Sequence, residues 1–291
     1  MTNVISVCVP AYNAARTLEY TLRSVLSQDV DLQVTVLDNA SNDGTGDLAY
    51  SFGDPRVQVH RNDTVLPIGE NWNRVVGLST SPLVKIVCAD DLVAPDSLAR
   101  QVEVMSDPTV AIVSGRFNVI DEEGVTRVEG LGLPGLIGRH DARTAMATIV
   151  RHGPADFGPT AGATFRREHY DRVGGLRGDL VFPMDVDLFA RVTEFGSFVG
   201  LPDRVASWRD STFNLCSQTS SWSKLTEMVR FHHRLGRDHP QFVSPADVLA
   251  GDVRVVRAGL ERLHVRLRSL TKGHVAEDVA RAGVGSGPTG L

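Results

Sequence analysis

Cysteine is scarce in this chain. Its three thiols, Cys8, Cys88 and Cys216, are odd in number and lack the spacing of a disulfide framework or a zinc site. They read as reduced thiols, with Cys8 and Cys88 inside buried strands. No run of about 18 apolar residues occurs, so no membrane-spanning helix is expected. The first residues, Met1-Thr2-Asn3-Val4-Ile5-Ser6, have no basic stretch ahead of an apolar one and lead straight into a strand, which argues against a secretory leader. A cytoplasmic location is the expectation. Basic excess is missing too: the net charge is −5, against nucleic acid as the main partner. The charge is also uneven. From Thr219 onward 11 Lys/Arg face 7 Asp/Glu, a balance of +4, whereas residues 1–218 carry 19 against 28, or −9. The basic tail therefore has a role of its own.

What is present is enough apolar residue, 42% of 291, to build a sizeable core. Val4 to Val9 is a strand closed by Pro10-Ala11-Tyr12-Asn13. Leu18, Leu22, Val25 and Leu26 then recur at helical spacing. Leu32, Val34 and Val36 alternate toward Leu37-Asp38, followed by the turn-forming Asn39-Ala40-Ser41-Asn42-Asp43-Gly44-Thr45. A short helix, a strand through Val57 and Val59, and a helix carrying Ile68, Trp72, Val75 and Val76 lead to the apolar run Leu83–Cys88. Alternating strands and helices over the first 90 residues predict an α/β fold with a doubly wound, mostly parallel sheet flanked by helices. A helix bearing Leu98, Val102 and Met105 follows, then a strand over Val110–Ile120. The glycine-rich stretch 122–138 reads as a mobile loop, and Phe157–Phe165 as a small-residue strand. Asp141 is placed to cap a helix, and Asp185 to open one. Beyond Thr219 the pattern is helical, with Val253, Val256, Leu260, Leu263 and Leu267 in register.

Carboxylates recur where strands end: Asp38 after the second, Asp90 and Asp91 after the fourth. Open α/β sheets bind ligands at the carboxyl ends of their strands. A carboxylate there accepts from a base N–H or a ribose hydroxyl, and adjacent anions call for a hard divalent cation with oxygen ligands. Each acid also has a plainer reading, as a turn or cap residue.

Three stretches in order, Ser6-Val7-Cys8-Val9-Pro10-Ala11-Tyr12-Asn13, Val36-Leu37-Asp38-Asn39-Ala40-Ser41-Asn42-Asp43-Gly44-Thr45 and Cys88-Ala89-Asp90-Asp91, resemble the inverting family 2 glycosyltransferases of the GT-A fold. The resemblance spans roughly residues 3–210. Val173-Gly174-Gly175-Leu176 and Met184-Asp185-Val186-Asp187-Leu188 match its later landmarks. It implies a metal-dependent enzyme that moves a sugar from a nucleoside diphosphate (UDP, GDP or dTDP) to a hydroxyl acceptor. Pro10, Ala11, Tyr12 and Asn13 would cover the nucleotide base and Asp38 would accept from it. Asp90 would bind ribose or share the metal, Asp91 would be the principal Mg²⁺ or Mn²⁺ ligand, and Asp185 would be the general base.

Two positions depart from the family pattern. Met184 stands where a Glu often precedes the base, and no His follows Trp208-Arg209. Arg209 is a candidate for the diphosphate, Asp187 a second candidate base, and Trp72 a sugar platform or, more simply, core. The expected organisation is a catalytic domain over 1–218, with a nucleotide-sugar half (1–105) and an acceptor half (106–218). A helical segment over 219–282 and a disordered tail over 283–291 follow. The helical segment would pack on the catalytic domain or a second subunit, or lie on an anionic membrane surface. The alternatives are a non-catalytic nucleotide-sugar-binding relative and a sugar nucleotidyltransferase, although the latter's Gly-rich basic loop is missing after the first strand.

Overall fold

A computed structural model describes residues 3–153, 157–212 and 215–260. Strand β1 (Ile5–Ala11) is followed by α1 (Leu18–Leu26), β2 (Leu32–Asp38), α2 (Thr45–Ser51), β3 (Val57–Arg61), α3 (Ile68–Gly77), β4 (Leu83–Ile86) and the short β5 (Leu92–Val93). Then come α4 (Ser97–Met105), β6 (Val110–Ile120), β7 (Thr126–Leu131), β8 (Gly138–His140), α5 (Ala142–His152), β9 (Thr164–Arg166), α6 (Arg167–Arg172), α7 (Met184–Val192) and β10 (Ser197–Arg209). The helices α8 (Leu215–Gln218), α9 (Ser221–Asp238) and α10 (residues 245–260) complete the described chain.

One sheet runs through the molecule in the order β3-β2-β1-β4-β9-β6-β10-β5, with β7 on β6 and β8 on β10. Its first half is parallel: β1 pairs β2 on one side and β4 on the other, and β2 pairs β3. The second half is mixed, because β9 runs antiparallel to both β4 and β6 while β6 and β10 are parallel. Strand β1 is buried along its whole length, which is why its sequence is apolar without alternation. Two cores, one on each face, hold the sheet between helices. One of them is centred on Phe157, Phe165, Phe189 and Phe198, with ring centroids 5.5–6.1 Å apart. Burying each such ring contributes roughly 1.5–3 kcal/mol.

The strand-helix alternation of the first 90 residues is as expected, as is the cap at α5, where the Asp141 carboxylate accepts from the Thr144 N–H at 2.7 Å. Three expectations need correction. The stretch 122–138 is ordered: its outer part is β7 hydrogen-bonded to β6, and Leu133 and Leu136 are buried anchors. Phe157–Phe165 is strand only from Thr164; Thr160–Gly162 is a single 3-10 turn. Strand β4 is buried throughout as its apolar run implies, Lys85 included. Finally, Cys8 is a core thiol pushed up to about 12 by burial, but Cys88 is half-buried at a strand end.

Helix α10 packs on the rest of the fold through Val248 and Val255 and exposes Leu249, Val253, Val256 and Leu260. The Cys216 side chain and the continuation of the tail, with Leu263, Leu267 and the 283–291 segment, lie outside the described residues. No helix among the described residues is long and apolar enough to cross a membrane.

Candidate active site

The candidate site forms where the sheet loses a neighbour. Strand β4 pairs with β1 over four residues, but with β9 over only Leu83 and Val84. Past Ile86 its carboxyl end is open on the β9 side, and the chain turns there through Cys88–Asp91, with the Asp91 N–H donating to the Cys88 carbonyl at 3.1 Å. That turn presents Cys88 Sγ and the Asp90 and Asp91 carboxylates, whose ligand-bearing atoms all lie within 4.8 Å of one another. Crowding buried anions has the expected electrostatic result. Burial, then the Asp90 charge and more weakly the Asp185 charge, raises the Asp91 carboxyl well above the usual range. Burial raises Asp90 as well.

Arg209, buried at the end of β10, sets this turn. Its backbone N–H donates to Asp91 Oδ1 at 3.0 Å and its Nε to the Asp90 carbonyl at 2.9 Å. Its Nη1 reaches the carbonyls of Asp121 and Glu122 at 2.9 and 2.8 Å. The guanidinium expected at a diphosphate thus fastens β10 and the 121–122 turn to the acid pair.

The loop after β1 is clasped to the loop after β2. Asn13, at φ 48°, donates its N–H to Ser41 Oγ at 2.9 Å and accepts from the Asn42 N–H at 3.1 Å. The N–H groups of Ala14 and Ala15 donate to Thr45 Oγ1 and Asp43 Oδ2 at 2.8 and 3.0 Å. Pro10 and Ala11 are buried in β1, and the Tyr12 ring stands out, 54% exposed, beside this clasp. Asp38 is fully buried; one oxygen accepts from the Ser41 N–H at 3.0 Å and the other from Arg61. Gly46 makes room for the pair, since a Cβ there would sit 2.8 Å from Asp38 Oδ2. Arg61 was not foreseen, because nothing in an alternating edge strand marks one arginine as the cover of a buried acid.

Asp185 stands in the first turn of α7, and its charge is felt at Asp91. Thr160 Oγ1 donates to its Oδ2 and the Val186 N–H to its Oδ1, both at 2.8 Å. Burial raises its carboxyl above the ordinary range. Asp187 is engaged elsewhere: fully buried, it pairs with Arg191 at 2.7 Å, and Arg191 also donates to the carbonyls of Val173 and Gly175. That acid anchors the Gly174-Gly175 turn. Trp72, on α3, packs against the core, next to a buried amide cluster in which Asn62 Nδ2 donates to Asn39 Oδ1 and Asn71 Oδ1 at 2.7 and 2.9 Å.

With this geometry in place, the family model described as Glycosyl transferase family 2 matches residues 6–174, more than half of the chain. The chain belongs to glycosyl transferase family 2. An uncharacterized glycosyltransferase, alr2836, of a Nostoc species is 28% identical over 62% of this chain and 54% of its own length. The chain spans 54–61% of the first curated relatives it matches. Among solved structures, the mannosyltransferase PcManGT from Pyrobaculum calidifontis, in complex with GDP-Man and Mn²⁺, superposes with a TM-score of 0.63 at 19% identity, covering 96% of this chain and 81% of that one. TarS of S. aureus, in complex with UDP-GlcNAc, gives 0.62 at 15% identity over 81% and 67%. The family 2 glycosyltransferase therefore has the GT-A fold, with a helical carboxyl-terminal part.

Proposed function

We propose that this glycosyltransferase moves a sugar from a nucleoside diphosphate donor to a hydroxyl acceptor in one inverting step, with Asp185 as general base. The observation that carries this reading is the meeting of acids from two independent segments. Asp91, on the turn after β4, feels the charge of Asp185, on α7. In-line displacement at an anomeric carbon needs a base on the acceptor side and charge neutralisation on the leaving-group side, so the two must come from different parts of the chain. In the step, the acceptor oxygen bonds to the anomeric carbon as the bond to the diphosphate oxygen breaks. The hydroxyl proton passes to Asp185. A carboxyl raised by burial is a better match to a proton abstracted near neutral pH than an ordinary one.

Asp91 and Asp90 fit a hard divalent ion, Mg²⁺ or Mn²⁺. Their oxygens are clustered; burial raises both carboxyls, the Asp90 charge raises Asp91 further, and a cation relieves that repulsion. Bound there, the ion supplies neutralisation of the charge that builds on the departing diphosphate. The Pro10–Asn13 turn and Asp38 take the nucleotide. Residues 1–105 serve the donor and 106–218 the acceptor.

The test compares wild type with Asp91→Ala and Asp185→Asn, using a panel of UDP-, GDP- and dTDP-sugars with and without Mn²⁺. Asp91→Ala loses the Mn²⁺-dependent part of donor binding. Asp185→Asn keeps donor binding and loses turnover by about 10²–10⁴-fold. Turnover at the wild-type rate in Asp185→Asn refutes the base.

A further inference from the structure

The turn Thr160–Gly162 lies in no sequence motif, yet it touches the proposed base. Thr160 is 5% exposed, and its hydroxyl donates to Asp185 Oδ2 at 2.8 Å. With the Val186 N–H on Oδ1, each carboxylate oxygen holds one donor, which fixes the carboxylate plane and leaves the remaining lone pairs for the acceptor. Thr is suited to this task because its branched Cβ restricts χ1.

The turn is itself braced from below. Its backbone closes through the Gly162 N–H to the Pro159 carbonyl at 2.8 Å and the Ala163 N–H to the Thr160 carbonyl at 3.2 Å. Gln101, fully buried on α4, donates Nε2 to the Gly162 carbonyl at 2.7 Å. Its Oε1 accepts from Lys85 Nζ at 2.8 Å and Thr164 Oγ1 at 2.9 Å. Lys85 Nζ donates to the amide oxygen, and that turns the NH₂ toward Gly162. Lys85 stands on β4, which leads into the turn carrying Asp90 and Asp91. One segment thus delivers the metal-side acids and also fixes the turn that holds the base.

We propose that Thr160 is a positioning residue for glycosyl transfer, holding Asp185 in the rotamer that faces the acceptor while Gln101 and Lys85 hold its turn. This rests on Asp185 being the base. Thr160→Val keeps the shape and removes the donor; Thr160→Ser restores it.

Steady-state rates are read as nucleoside diphosphate release with Mn²⁺ and the member of a UDP-glucose, UDP-N-acetylglucosamine, GDP-mannose and dTDP-rhamnose panel that wild type turns over. Thr160→Val lowers kcat about ten- to a hundredfold, with donor KM within about twofold and the melting temperature unchanged. Thr160→Ser returns kcat to within about threefold. Crystal structures of wild type and Thr160→Val read the Asp185 rotamer without reference to turnover, and it moves in the variant. An unchanged rotamer, a wild-type kcat in Thr160→Val, a loss that Ser does not restore, or a kcat loss accompanied by equal losses of donor KM and melting temperature overturns the proposal. The Asp185→Asn arm separates the two ideas. If Asp185→Asn is inactive and Thr160→Val is normal, only the positioning role fails; if Asp185→Asn is active, the base assignment fails.

Discussion

Lys85 offers a quantitative test of the buried network. Its ammonium is fully enclosed, and burial lowers it from 10.5 to about 7. Between those values the unfolded chain holds a proton that the folded chain has shed, so stability rises with pH across the window. At about 1.4 kcal/mol per unit of separation, the cost of burying the protonated group is about 4.5 kcal/mol near pH 6.5. It falls to about 1.5 kcal/mol near pH 9.5. Lys85→Met removes this dependence while keeping the side-chain length, and Gln101 Oε1 still accepts from Thr164. Thermal unfolding of both proteins across that range isolates Lys85, because every other titrating group is common to the two. The wild type gains about 3 kcal/mol on Lys85→Met between the two ends, or on the order of 6 °C for a chain of this size. A difference that stays flat with pH refutes the reasoning, since the ammonium would then be solvated in the folded state. A difference that moves the other way would mean that Gln101 and the Ala163 carbonyl, which Lys85 Nζ reaches at 3.5 Å, outweigh burial.

The two acids of α7 separate in the same assay. Asp187→Asn strands the buried Arg191 and costs about 3–5 kcal/mol, whereas Asp185→Asn leaves the melting temperature unchanged or higher because it removes a carboxylate strained by burial; equal losses for both contradict the division. Gly69→Ala would bring a Cβ to 2.4 Å from the Gly178 Cα, so backbone meets backbone where no side chain can yield. A loss of about 1–3 kcal/mol in chemical denaturation checks it, and a neutral result shows that α3 and the 176–183 loop move freely.

Much of this was legible in the residues. The period switch from strands to helices, the acids at strand ends and the Gly174-Gly175 turn are local signals, and each element they mark is where the chain places it. What escaped was set by distant partners. Lys85 looks like a surface residue in composition, and its burial is met by Gln101 and the Ala163 carbonyl. The stretch 122–138 read as a loop because its glycines are conspicuous, while Leu133 and Leu136 find their pockets only once β6 is in place. Asp187 and Asp185 are alike as letters; the approach of Arg191 from one turn along the helix makes one structural. Thr160 had no signal at all, because a hydroxyl in a run of small residues acquires meaning only from the carboxylate it meets.

Arg209 also says something about the order in which the chain is made. The bond from its N–H to Asp91 joins residues 118 apart in sequence, and its side chain then closes onto Asp90, Asp121 and Glu122. A ribosome that has released residues 1–105 has delivered every parallel strand of the first half and both acids, but not the residue that sets their turn. Contacts of such long range form late. The acid pair is therefore among the first functional features synthesised and among the last completed. A fragment ending after α4 would carry the whole motif and lack the residue that sets its geometry.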